Sequence, residues 1–283
     1  MAFKLGYNTN GLTGHRWADA LELIADTGYH AVALTLDHHL LDPYAPDLLG
    51  QTATVRRKLE KLGLASVVET GARFLLDPRT KHEPTLMSPT AEERAVRIDF
   101  LKQAIDIAAE LGAEAVSFWS GILREAITED AAFARLAEGC REVLDYAEQR
   151  QVQLAFEPEP GMFIDTMASY RQLLELVDGP RFGLTIDIGH LHCLGEVPIA
   201  SHLREWSDRL ANVHIEDMRA GVHDHLRFGE GEIDFAPVLA ALRDIGYRGC
   251  VNVELSRHSH MAPEVMCESL AFLERLQTDA AKR

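Results

Sequence analysis

The chain has 283 residues, 47% of them hydrophobic and 25% charged, a composition that suits a globular protein with a sizeable core. Lys plus Arg total 28 against 44 for Asp plus Glu, a formal charge of −16. That charge repels nucleic-acid backbones and anionic membranes at long range, so a small-molecule partner is expected, with no nucleic acid and no membrane. Homo-oligomerisation stays open. The four cysteines, Cys140, Cys193, Cys250 and Cys267, are scattered without CxxC pairing, which predicts reduced thiols. The N-terminus lacks signal-peptide features, and no apolar run reaches about 18 residues, so a cytoplasmic, unanchored protein is expected.

In chain order, short apolar runs alternate with longer amphipathic segments. The strands read from this rhythm are Phe3 to Asn8, Ala31 to Leu36, Ala65 to Thr70, Ala115 to Trp119, Gln153 to Glu157, Phe182 to Asp187, Asn212 to Ile215 and Cys250 to Leu255. One helix places Ala95, Ile98, Leu101, Ile105 and Ala108 on a common face and stops at Gly112; another opens on Thr128 as N-cap. Eight βα units in one chain of this length predict a single-domain (β/α)8 TIM barrel spanning residues 1–283. An open doubly wound sheet is the alternative. It is disfavoured because no GxGxxG or GxxxxGK[ST] follows the first strand. Two connections are long, about 71–89 and 216–233, and both follow strands, at the face where barrel sites are built.

The strands deliver Asn8, Asp37 with His38 and His39, Glu69, Trp119, Glu157, Asp187, His214 and Glu254 to that face. Strands five to eight end in Glu, Asp, His and Glu. In a closed barrel three carboxylates would converge, and at 4 Å each like-charge pair costs about 4 kcal/mol at an effective dielectric of 20. A divalent cation removes this repulsion, so Glu157, Asp187, His214 and Glu254 are expected to form a metal site. Each of these residues alone has a bland explanation, such as Asp187 as an N-cap; the inference rests on their joint placement.

His190, His223 and His225 form a second imidazole-rich group, either a second metal site leaning toward zinc or a set of substrate-facing loop residues. Arg73, Arg79, Lys81 and His82 form a basic cluster in the first long loop, either a solvated face or a site for a substrate phosphate or carboxylate. Arg219 and Arg257 are further candidates, and Trp119 and Phe74 could line a pocket. None of the lysines lies at a C-terminal strand end, which argues against a Schiff-base enzyme, and no GxSxG elbow is present. Metal-assisted chemistry remains.

With LAFEPEPG around Glu157, TIDIGH, NVHIED around His214, FGEGEIDF and GYRGCVNVEL leading into Glu254, the chain resembles the xylose isomerase-like superfamily of metal-dependent barrels. Its members include sugar-phosphate isomerases and epimerases and an apurinic endonuclease branch. The resemblance implies that Glu157 and Glu254 are both metal ligands and catalytic, moving a proton from opposite faces of a substrate, with Asp187 and His214 completing the shell. It implies a substrate or second-metal role for His190 and a substrate role for Arg219; Glu69, Trp119 and Arg73 join the expected substrate-binding set. The expected activity is isomerisation or epimerisation of a sugar, sugar phosphate or related hydroxycarbonyl compound through an enediolate. Mn2+ is the expected cofactor, with Zn2+, Co2+ or Mg2+ as alternatives. A dehydratase of a polyol and a zinc phosphodiesterase are the alternative activities. The nuclease branch carries histidine where this chain has Glu69 and Trp119, which weakens the phosphodiesterase reading.

Overall fold

The computed structural model describes residues 3–281. The strands are β1 (Lys4–Asn8), β2 (Ala31–Thr35), β3 (Ala65–Glu69), β4 (Val116–Phe118), β5 (Leu154–Phe156), β6 (Phe182–Asp187), β7 (Leu210–Ile215), β8 (Asp217–Arg219), β9 (Val222–Leu226) and β10 (Cys250–Val253). All except β8 and β9 close into one barrel in the order β1-β10-β7-β6-β5-β4-β3-β2, with parallel pairing throughout. This is the TIM barrel the alternation predicted. Among the described residues no helix is long and apolar enough to cross a membrane.

The helices, α1 (Trp17–Thr27), α2 (Leu48–Leu62), α3 (Ala91–Leu111), α4 (Glu129–Arg150), α5 (Met167–Leu176), α6 (Ile188–Cys193), α7 (Ile199–Glu205), α8 (Phe235–Asp244) and α9 (Ala262–Ala281), begin and end where local chemistry dictates. Thr90 caps α3 (Ala91–Leu111) in a reciprocal box with Glu93, and Gly112 ends it at φ +68°, a conformation glycine adopts without penalty. Thr128 caps α4 (Glu129–Arg150) by accepting from Ala131 N. Of the expected face of α3, Leu101, Ile105 and Ala108 are buried, whereas Ala95 is exposed and Ile98 half-buried; Arg97, Phe100, Ala104 and Ile107 also face inward. A fully buried arginine takes part of the expected apolar stripe, its guanidinium lying over the Trp119 ring at 4.6 Å.

Inside the barrel, Ala31, Val67, Ala115, Ala155 and Cys250 pack as a small apolar plug. Polar side chains also occupy the interior. Asn252 Nδ2 donates to Asn212 Oδ1 (3.0 Å), Asn212 Nδ2 donates to Glu69 Oε1 (3.3 Å), and Ser117 and Thr185 share a hydrogen bond of 2.9 Å. Strand alternation explains the series, since Asn212 and His214, like Asn252 and Glu254, are two residues apart and share a face.

The 216–233 segment is not an open loop. β8 and β9 form an antiparallel hairpin in it, and its return is tied down by Asp217, whose carboxylate accepts from Met218 N (3.0 Å), Gly229 N (2.8 Å) and Ile233 N (3.1 Å). A Cβ at Gly231 would stand 2.3 Å from Asp217 Oδ1, so the glycine of the FGEGEIDF run is required by this close approach.

Candidate active site

Glu157 follows β5, Asp187 ends β6, His214 lies on β7 and Glu254 follows β10. The rigid sheet brings them together as expected: His214 Nδ1 lies 3.1 Å from Glu157 Oε1, 3.0 Å from Glu254 Oε2 and 3.9 Å from Asp187 Oδ2. Asp187 Oδ1 accepts from His190 N (2.9 Å) and so caps α6 (Ile188–Cys193), while Oδ2 is buried without a hydrogen-bond partner. The helix cap therefore occupies one oxygen of this aspartate and leaves the other without a hydrogen-bond partner.

The charges around His214 are unbalanced. Burial opposes a charged imidazole there, but Glu69, Glu157 and Glu254 outweigh it and hold its pKa well above the ordinary value. Burial, partly offset by His214, pushes the Glu157 carboxyl up to about 8. Burial would raise Glu254 as well, yet His214 and His225 more than compensate and leave it below the usual carboxylate range. Three carboxylates converge on a single imidazole nitrogen, and one of their oxygens is orphaned. Hard oxygen donors plus one imidazole, with a partnerless inward-facing carboxylate oxygen, fit a divalent cation.

Glu69 is placed behind this cluster. Its Oε1 lies 2.9 Å from His214 Nε2, so the imidazole spends its Nε2–H on Glu69 and turns Nδ1 toward the other carboxylates. It is buried, borders the cavity and is engaged with His214.

His190, His223 and His225 converge at the side of the same cavity. Because β9 is a strand, His223 and His225 project from one face while Asp224, between them, points the other way and pairs with Arg257. His190 Nδ1 faces the Pro158 carbonyl (3.3 Å) and His225 Nδ1 the Glu254 carbonyl (3.2 Å), which leaves both Nε2 lone pairs uncommitted to the backbone. His190 Nε2 and His223 Nε2 are 3.1 Å apart. Burial lowers His190 to about 4 and holds His223 below its ordinary value, so neutral rings are the stable form at neutral pH.

Around these groups lies a cavity of about 350 Å³. Arg73, Lys81, His82, Trp119 and Arg257 reach it; Arg79 and Phe74 are exposed outside it. Arg73 holds the Asn10 carbonyl (3.1 Å) and faces Asp37 at 3.5 Å, and Trp119 is held between Arg97 and the edge of His82. Arg219 does not reach the cavity. It pairs in register with Val222 at the hairpin tip, and its guanidinium donates outward to the Glu230 carbonyl at 2.9 Å.

Three polar residues of the site escaped the sequence reading. Glu159 borders the cavity 3.9 Å from His190 and 3.8 Å from His223. Glu216 is fully buried with neither oxygen hydrogen-bonded; burial and the adjacent Asp187 charge hold its carboxyl well above its ordinary value. A Cβ at Gly189 would meet Glu216 Oε1 at 2.1 Å, which explains the glycine between Asp187 and His190. Asn10 donates to Glu254 Oε1 at 2.6 Å. Glu216 was legible as the next inward position after His214, two residues on; Glu159 and Asn10 lie beyond strand ends, where no period applies.

The chain is 25% identical over 244 residues to the L-ribulose-5-phosphate 3-epimerase UlaE of Salmonella paratyphi A, covering 86% of this chain and 83% of that protein. It is 27% identical over 250 residues to the inosose dehydratase of Lacticaseibacillus casei, covering 73% and 83% respectively. The D-allulose 3-epimerase of Methylomonas sp., solved in complex with D-allulose, superposes with a TM-score of 0.74 at 20% identity, covering 96% of each chain. The model of the xylose isomerase-like TIM barrel family matches residues 21–276, and the chain belongs to that family.

Proposed function

We propose that the protein is a divalent-metal-dependent isomerase or epimerase of a sugar, sugar phosphate or related hydroxycarbonyl compound. The observation that carries this is the pair Glu157 and Glu254, each about 3 Å from the same His214 nitrogen and each bordering the cavity. Glu157, Asp187, His214 and Glu254 would hold the cation, with Mn2+ favoured by the oxygen-rich shell and Zn2+, Co2+ or Mg2+ as alternatives. When bound, it supplies charge that polarises a substrate carbonyl and acidifies the neighbouring C–H.

The chain's own residues do the rest. One of Glu157 and Glu254 takes the proton from the α carbon to leave an enediolate: its return by the same carboxylate to the former carbonyl carbon, with a proton passing from the hydroxyl oxygen to the carbonyl oxygen, gives isomerisation, and return to the α carbon by the other carboxylate on the opposite face gives epimerisation. Glu69 keeps the His214 ring oriented, and Trp119, Arg73 and His190 shape and line the space for the remainder of the substrate. The chain is similar to an epimerase and to a dehydratase, activities that both suit proton abstraction beside a carbonyl. Purified protein loaded with Mn2+ should catalyse solvent deuterium exchange into a ketose from a panel that includes L-ribulose 5-phosphate and D-allulose. Full turnover by both Glu157→Gln and Glu254→Gln would refute the two-glutamate mechanism.

A second reading, a zinc-dependent phosphodiesterase, draws on the convergence of His190, His223 and His225, two of which direct Nδ1 at backbone carbonyls in the manner of metal ligands. Metal analysis separates the two: one ion per chain supports the isomerase, two or three zinc ions the hydrolase.

A further inference from the structure

The guanidinium of Arg97 is fully buried on the inward side of α3. It makes one hydrogen bond, from Nη2 to the Thr70 carbonyl at 2.7 Å, and its Nε and Nη1 are buried without partners. Glu83, the acid whose charge acts on it, pairs with Arg124 instead, at 2.9 Å. Burial draws the guanidinium pKa down to about 10, which still leaves it charged at neutral pH. A buried cation without a paired anion, carrying two orphaned donors, lowers the stability of the fold. A methionine of similar length would fill the space on α3 without that cost.

What the guanidinium does touch is the back of the cavity wall. Its carbon lies 4.6 Å from the Trp119 ring centroid and 5.1 Å from that of Phe100. Trp119 and Thr70 both line the cavity, one just after β4 and the other just after β3, and Thr70 Oγ1 donates to the Ser117 carbonyl at 2.7 Å. One side chain thus braces two adjacent strand ends. Trp119 in turn meets His82 of the 71–89 loop edge-on, with ring centroids 5.5 Å apart. A second pair gives the contrast: Arg171 lies at the same 4.6 Å from Trp206, but it is exposed, pairs with Glu205 and stands away from the cavity.

We propose that Arg97 is a positioning residue, retained against the stability of the fold, that fixes Trp119 as a wall on which the substrate packs. A planar cation over the ring face restricts the indole more than an aliphatic chain does. Without it, the ring is free to turn in its socket and the wall shifts. The substrate half of this rests on the reading of the cavity as a ketose site; the bracing of the ring does not.

The test uses the Mn2+-loaded full chain, with Arg97→Met, Trp119→Leu, the double variant, and Arg171→Met as control. Arg97→Met should melt at the wild-type temperature or above it. It should raise KM about tenfold, with kcat within about twofold, for whichever of D-allulose and L-ribulose 5-phosphate wild type turns over. Trp119→Leu should do the same, and the double variant should be no worse than either single change, because the arginine acts through the ring. Arg171→Met should leave KM unchanged. In a Trp17→Phe, Trp206→Phe background Trp119 is the sole tryptophan, and there Arg97→Met should raise acrylamide quenching of its emission about twofold. Failure of Arg97→Met to fold, or a melting temperature more than about 3 °C below wild type, overturns the proposal by making the arginine a structural part. Unchanged quenching, unchanged KM, or independent multiplying effects of the two changes on KM overturns it as well. If wild type turns over neither ketose, the isomerase reading fails, and quenching with melting decides whether Arg97 braces the ring.

Discussion

The floor of the cavity is made of side chains at the ends of barrel strands, whereas much of its rim is made of the irregular 71–89 segment. Floor groups are held by their neighbours in the sheet: His214 touches Glu69, Glu157 and Glu254, and each comes from a different strand or strand end. Rim groups are held by backbone carbonyls and by a strained backbone. Ala72, Arg73 and His82 all have positive φ (55°, 34° and 70°), His82 Nδ1 faces the Gly71 carbonyl, and Arg73 reaches across to the Asn10 carbonyl. A rigid floor suits metal chemistry, which tolerates little displacement of a ligand, and a strained, one-carbonyl-at-a-time rim suits a part that sorts substrates.

This contrast predicts that floor changes abolish chemistry while rim changes alter affinity. The largest effect should come from Glu157→Gln or Glu254→Gln, each lowering proton exchange about 10²- to 10⁴-fold in the Mn2+-loaded protein with an unchanged far-UV circular dichroism spectrum. Next, Glu69→Gln should weaken Mn2+ about 10- to 100-fold in a competition titration, because His214 loses the carboxylate that fixes its ring. A result within twofold of wild type would mean that the ring is held by other contacts.

The electrostatics of the floor set a pH dependence. The Glu157 carboxyl is raised from 4.5 to about 8 on folding, so its contribution to stability is fully present below pH about 4.5 and is lost as pH rises to about 8. Metal-free protein should therefore lose melting temperature across that window, to the extent that Glu157 governs it, and Mn2+ should recover more of it at pH 8 than at pH 5. Thermal melts with and without Mn2+ measure the crossover. The smallest effect belongs to the rim: Arg73→Ala should change KM by less than about tenfold and leave Mn2+ affinity as it was, since its guanidinium makes only a 3.5 Å ion pair and one carbonyl contact.

The same contrast decides what could be read from sequence. β6 spans Phe182–Asp187 just as the apolar run ending in an acid suggests, because a strand buried on both faces writes itself as a continuous apolar stretch. Once the barrel is accepted, the convergence of Glu157, Asp187, His214 and Glu254 follows from closure alone. The HDH run was legible in principle as strand alternation, with two imidazoles on one face and Asp224 on the other, but its polarity made it look like loop. Arg219 was expected at the substrate and instead lies at the tip of that hairpin, a place only the turn geometry fixes. Arg97 could not have been found: it shares the inward side of α3 with Leu101 and Ala104, where an apolar residue is expected, and its burial depends on Trp119, which arrives from the end of β4. Rim contacts such as Arg73 with Asn10 join residues 63 positions apart through a backbone carbonyl and leave no pattern in residue type.

We propose that four strand-end side chains hold one catalytic divalent cation. Anomalous diffraction from crystals grown with Mn2+ tests it most directly. A strong peak is expected within coordination distance of Glu157, Asp187, His214 and Glu254 together. A protein that binds Mn2+ only at other residues, or a peak that misses two or more of these four, would contradict it.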